Sequence, residues 1–120
     1  MNLNRKQELF LKSLKLIKDS NVEFSSAYFH SNSNLNETHL KSEYEHLQSK
    51  MLSEKDIECV KRIQNELVEA VIENIMVLID GYGDLDFTLD LIDRDSNESL
   101  RENIELHDAF MTYIENEESV

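Results

Sequence analysis

The sequence predicts a mainly α chain of α+β type: three to four helices around a long central helix (about 53-80), with a small β-hairpin or short strand element near 85-101, in one compact domain over 1-120. Three observations predict it. The 120 residues include no proline and two glycines, against average usage of roughly 5 % and 7 %, which disfavours a turn-rich all-β fold. Apolar residues recur at helical spacing throughout 57-79, and the period changes to two only over 85-91. A hydrophobic share of 40 % supplies one modest core despite a formal charge of −13.

The elements follow in order. In residues 3-18, Leu3, Phe10, Leu14 and Ile17 fall in one narrow sector at 100° per residue, with Arg5, Glu8, Lys12 and Lys15 across from it. This predicts a first helix that Asp19-Ser20-Asn21 ends, since these residues compete for backbone hydrogen bonds outside helices. Val22 to Phe29 reads as a short strand or extended segment, and Ser31-Asn32-Ser33-Asn34 as a loop. Leu40, Tyr44, Leu47 and Met51 place a second helix over 37-50.

Ser53, with Asp56 three residues on, has the form of a capping box ahead of the third helix. Ile57, Val60, Ile63, Leu67, Val71, Ile75 and Leu78 mark its stripe, widened by Val68, Ile72, Met76 and Ile79. Gly81 supplies the left-handed residue that stops it after Asp80. Leu85, Phe87, Leu89 and Leu91 then alternate with Asp86, Thr88 and Asp90, predicting a strand that must pair with 22-29, with another chain or, the favoured partner, with a return strand after the turn at 94-97. A last helix over 103-116, or one turn earlier from Ser99 and Glu102, is buried through Ile104, Met111 and Ile114 or through Leu106, Phe110 and Tyr113. An acidic tail occupies 115-120.

Several function classes drop out on composition. One cysteine, Cys59, forms no intrachain disulfide and no thiolate zinc site, and its place beside Val60 predicts a half-buried small side chain. Leu9-Phe10-Leu11 is the longest apolar run near the N-terminus, too short for a secretory signal, so a cytoplasmic location is expected. Leu67 to Ile79 is interrupted by Glu69, Glu73 and Asn74, which excludes a spanning helix. Residues 1-62 carry 10 basic and 9 acidic side chains, whereas 63-120 carry 2 and 16. That acidic half repels phosphate backbones and steers cationic surfaces toward itself, so direct nucleic-acid binding is not expected.

No cofactor and no enzyme activity are expected either. His39, Glu43 and His46 share one face of the second helix and could ligate a metal, but Glu43-Tyr44-Glu45-His46 is a lone Glu-x-x-His where a di-iron bundle needs two. Asp93, Asp95 and Asn97 match positions one, three and five of a calcium loop, yet Glu98 stands where glycine belongs and Ile104 where a bidentate glutamate belongs. An Asx-rich turn accounts for the same residues. Gly81-Tyr82-Gly83 lacks the third glycine and the preceding strand of a dinucleotide fingerprint. His107 and Asp108, adjacent on a helix, point about 100° apart and read as surface residues.

The remaining feature is the carboxylate row Asp84, Asp86, Asp90, Asp93 and Asp95, an acceptor surface for a Lys/Arg-rich protein. Size, acidity, absence of cysteine pairs and helical content are similar to those of bacterial nuclease-immunity proteins, with no motif shared residue by residue. The expected function is therefore that of a small acidic protein which binds and inhibits a basic partner, such as a nuclease toxin, in the manner of an immunity protein, an antitoxin or a nucleic-acid mimic. A structural or regulatory homodimer without a basic partner, its strand paired across a two-fold axis, is the alternative. A metal-dependent hydrolase built on His39, Glu43 and His46 is the third.

Overall fold

A computed structural model describes residues 2-118 in four helices, α1 (Arg5–Ala27), α2 (Lys41–Gln48), α3 (Glu54–Ile79) and α4 (Leu106–Glu118). The chain groups into two compact units, one made of Met1–Leu16 with Glu69–Val120, the other of Ile17–Val68. No described helix is long and apolar enough to cross a membrane.

α1 opens on a reciprocal cap: the Asn4 side chain accepts the Gln7 N–H and the Gln7 side chain accepts the Asn4 N–H, both at 2.9 Å. The helix then runs through Asp19-Ser20-Asn21 and on to Ala27, so the predicted break and the extended segment at 22-29 are corrected. Asn21 Nδ2 donates to the Ile17 carbonyl, and the Ser25 and Ser26 hydroxyls to those of Val22 and Glu23. These polar groups are thus satisfied within the helix instead of ending it. The buried line also differs from the predicted one. It passes through Gln7, Leu11, Lys18, Val22 and Ser26, while Leu3, Phe10 and Leu14 are half-buried and Ile17 is 55 % exposed. Lys18 Nζ lies 3.3 Å from Asp19, and Gln7 Nε2 donates to the carbonyls of Leu100 and Glu102.

In the unit formed by 17-68, α2 is shorter than the predicted 37-50 and buries no residue. Residues before it turn instead, with the Thr38 hydroxyl accepting the Leu40 N–H. Tyr44 fastens α2 against the rings of Tyr28 and Phe29, 5.0 and 5.2 Å away, and Gln48 Nε2 donates to the carbonyls of Tyr28 and His30. α3 begins as predicted: the Ser53 hydroxyl accepts the Asp56 N–H at 3.1 Å and the Asp56 carboxylate the Ser53 N–H at 2.9 Å. Cys59 is exposed, not half-buried.

In the other unit, Leu11, Ile72, Met76, Leu106, Ala109, Phe110 and Ile114 are the buried apolar residues. α4 starts later than predicted and extends through Glu118, so 115-118 are helical and not a tail, while 119-120 lie outside the described residues. Its buried face combines Leu106 and Phe110 from one predicted set with Ile114 from the other. On α3 the core side carries Ile72 and Met76, whereas Val71, Ile75 and Leu78 of the predicted stripe, like Ile63 and Leu67 before them, are exposed. The apolar sector of α3 is wider than one contact face can cover.

The predicted hairpin near 85-101 is not formed. Among the described residues there is no sheet, and the segment contributes one isolated antiparallel bridge, Ile92 with Ser99. Alternation marks one face as apolar, but a strand exists only where a second backbone receives its N–H and C=O groups. Among the described residues none pairs with 84-89.

Candidate binding surface

α3 ends in a Schellman motif: the Tyr82 N–H donates to the Val77 carbonyl and the Gly81 N–H to that of Leu78, with Gly81 at φ +97°. This turn leaves Asp80 at the helix end with its side chain fully buried. Four donors converge on that carboxylate. Arg101 Nε (3.2 Å) and the Leu106 N–H (3.0 Å) reach Oδ1, and the His107 N–H (2.9 Å) and His107 Nδ1 (2.7 Å) reach Oδ2. Asp80 therefore caps α4 from 26 residues upstream, placing a negative charge at the positive end of that helix. Burial alone would raise the Asp80 carboxyl; the hydrogen bonds from His107, Leu106 and Arg101 outweigh it and hold the group below the ordinary carboxylate range.

Two further bonds run from this hub to the segment after α3. Arg101 Nη1 donates to the Leu89 carbonyl at 2.8 Å, and Arg101 Nη2 to the Asp80 carbonyl at 3.2 Å. At the other end the Tyr82 hydroxyl donates to Glu105 at 2.8 Å, and its ring meets the His107 ring edge-on at 5.6 Å. Residues 82-89 are thus an arm fastened at both ends to groups around one carboxylate. Between the fastenings, among the described residues, nothing in 83-88 forms a hydrogen bond. Gly83 passes so close to α3 that a Cβ there would sit 2.5 Å from Leu78 Cδ1. Beyond it Leu85 and Phe87 are 40 % and 60 % exposed.

The five predicted acceptor residues separate into two groups. Asp84 and Asp86, in the arm, and Asp95, in the following turn, are exposed, and among the described residues their carboxylates have no hydrogen-bond or ion-pair partner. Asp90 accepts the Ser99 hydroxyl and the Leu91 N–H, which lower its pKa. Asp93 accepts Lys6 Nζ at 2.5 Å, the Asp95 N–H and the Ser96 hydroxyl, and the Lys6 contact foremost holds it down to about 2. Lys6 also lies 2.9 Å from the Ser96 hydroxyl and 3.6 Å from Glu98. Its ammonium group takes the Asp93 oxygen, the first of the three that the calcium-loop pattern would offer, and Asn97, at φ +64°, closes the turn. Asp90 and Asp93 thus build the turn, and Asp84 and Asp86 face outward from the arm.

His39, Glu43 and His46 do not share a helix face, because α2 starts at Lys41 and His39 lies in the preceding turn. The described carboxylate and imidazole atoms that do converge belong to Asp80, Glu105 and His107, within 4.8 Å of one another. Both Asp80 oxygens are already occupied by N–H donors, so this trio is a hydrogen-bonded clasp. On the 17-68 unit, an open depression of about 530 Å³ is lined mainly by Phe24, Ala27, Tyr28 and Asn34, and its one charged side chain, Glu23, is paired with Lys61 at 2.6 Å.

His107, expected on the surface, is half-buried and is the functional residue that sequence reasoning missed. Burial pulls its pKa down, but the Asp80 hydrogen bond and the charges of Asp108, Asp80 and Glu105 prevail and raise it above 6.5. No helical or strand period links positions 80, 101 and 107; the only trace in the sequence is that Arg101 is one of two basic residues in the acidic half. Comparison with protein-family models, with curated proteins and with solved structures finds no match.

Proposed function

We propose that this chain is a binding protein whose arm, residues 82-89, engages a cationic protein surface and blocks it, as an immunity protein or antitoxin does. The observation that carries this reading is the arm itself. Among the described residues it presents Asp84 and Asp86 with no hydrogen-bond or ion-pair partner, interleaved with the exposed side chains of Leu85 and Phe87, on a backbone that makes no hydrogen bond from 83 to 88. Carboxylates at alternate positions meet Lys or Arg, the apolar pair supplies desolvated contact, and the free backbone groups accept or donate to a partner edge. Anchoring at Tyr82 and Leu89 limits the entropy lost on binding. A second copy is the poorer occupant, because two such arms side by side would oppose aspartates.

The test is capture of a partner from native host lysate at low salt, with the bands released by salt identified and compared between the wild-type chain and the Asp84→Lys/Asp86→Lys variant. These two side chains hold nothing in the fold, so the variant is expected to keep its stability, which the reversal of Asp90 or Asp93 would not allow. The expected result is one basic protein whose affinity falls at least tenfold in the variant and depends less steeply on salt. Equal capture by both chains, or recovery of the bait alone as a dimer, would overturn the reading.

A further inference from the structure

We propose that His107 is a proton-controlled fastener of the arm: the imidazolium holds the Tyr82 end in place through Glu105, and the neutral ring releases it. The inference concerns regulation of the surface described above and rests on the reading of the arm as the binding element.

The geometry defines two states of one ring. Nδ1 lies 2.7 Å from Asp80 Oδ2, a buried carboxylate oxygen that can only accept, so Nδ1 carries its proton in both states. The ionising position is therefore Nε2. It faces two carboxylates, Glu105 Oε2 at 3.4 Å and Asp108 Oδ1 at 3.5 Å. Protonated, Nε2 is a donor between two anions. Neutral, it turns a lone pair toward the same two anions, and the attraction that keeps Glu105 against the ring becomes repulsion.

Glu105 links the ring to the arm. Its other oxygen, Oε1, accepts the Tyr82 hydroxyl at 2.8 Å, and the Tyr82 ring lies edge-on to His107. Among the described residues, Tyr82 makes no other side-chain hydrogen bond, and nothing from 83 to 88 adds one. Once Glu105 swings toward solvent, the Tyr82 side chain has no polar tether; its backbone N–H stays on the Val77 carbonyl at the end of α3, and Arg101 still holds Leu89, so the arm is loosened from residue 83 onward. One end of the arm is released and the other is kept.

Every charged group around the ring enters the balance. Asp80 from the end of α3 and Glu105 and Asp108 from the start of α4 favour the imidazolium. Arg101, bound to the same Asp80 carboxylate, and the positive N-terminal end of α4, where His107 is the second residue, oppose it. Three carboxylates against one guanidinium and a helix end leave the cation favoured, so release falls above pH 6.5. The sign follows: the fastened state gains from proton uptake, so it is complete below the ordinary histidine pKa and is lost as pH rises through the value in the folded chain.

The experiment is NMR on the isotope-labelled full chain from pH 5 to 9, following the His107 ring nitrogens and the backbone order parameters of 81-88. A ring titration alone would shift neighbouring resonances by proximity, whereas mobility reports release. Order parameters of residues 83-86 are expected to fall from about 0.85 to below about 0.6 with the same midpoint as His107. In Tyr82→Phe, an exposed change, His107 should still titrate while 83-86 remain mobile at every pH. In His107→Gln the pH response of the arm should vanish. Order parameters that stay level through the His107 midpoint in the wild-type chain would overturn the proposal, as would a pH response of the arm that persists in Tyr82→Phe. No partner enters this measurement, so its failure is distinct from a failure of the binding reading.

Discussion

Replacing Asp80 with alanine is expected to destabilise the chain by about 3-5 kcal/mol, the cost of removing one member of a buried, hydrogen-bonded charge pair. The substitution strands Arg101 with one partner fewer, leaves the N–H groups of Leu106 and His107 without their cap, and removes the acceptor that orients the His107 ring. Against a total stability of roughly 5-15 kcal/mol this is a large share. The urea midpoint should fall accordingly. Asp80→Asn should fall between, because it keeps the volume and one acceptor oxygen but turns an NH₂ group toward donors. A midpoint within experimental error of wild type for the alanine variant would mean that the four contacts do not form together.

A comparable loss, about 3-5 kcal/mol, is expected for Phe110→Ala, through a different cause. Phe110 is fully buried in the same unit, among Leu106, Ala109 and Ile114 on the inner face of α4. Its truncation forfeits aromatic burial and leaves a cavity, yet it removes none of the hydrogen bonds that fasten the arm. The pair of variants therefore separates stability from presentation of the arm. At matched stability, monitored by urea titration, amide exchange at 83-88 should be unchanged in Phe110→Ala, and exchange at Leu106 and His107 should accelerate further in Asp80→Ala. If both variants changed the α4 cap alike, general loosening and not the carboxylate would control it.

Much of the helical frame was legible because its signals are local. Ser53 with Asp56 and Gly81 with the preceding apolar run bracket α3 within one residue at each end. What was not legible depends on which neighbours fold against a segment. Asp19-Ser20-Asn21 looked like a break, but Asn21 is satisfied by its own helix and Val22 and Ser26 gain burial only if the helix continues. The inner face of α1 includes Gln7 and Lys18, polar residues that no hydrophobic period can place there; for Gln7 the reason is a pair of carbonyls 93 and 95 residues away.

The surface shows the same division. The alternation at 85-91 states which side chains are apolar and says nothing of where a pairing backbone stands, so the strand it predicts does not form. Asp84 and Asp86 could be singled out from composition. That Asp90 and Asp93 belong to the turn instead depends on Ser99 and on Lys6, the latter 87 residues upstream. The Asp80–Arg101–His107 hub is equally long-range, and its members are individually ordinary residues of an acidic chain.

One buried carboxylate fixes the base of an arm whose middle, among the described residues, has no hydrogen-bond partner. Amide hydrogen exchange of the wild-type protein, resolved by residue, tests it most directly. Exchange near the free-chain rate is expected for 84-88, together with strong protection of the Leu106 and His107 amides, which donate to Asp80. Protection alternating along 84-91 would reveal a paired strand in the isolated chain, and free exchange at 106 and 107 would remove the cap; either would show that the arm is not held by Asp80 with its middle unpaired.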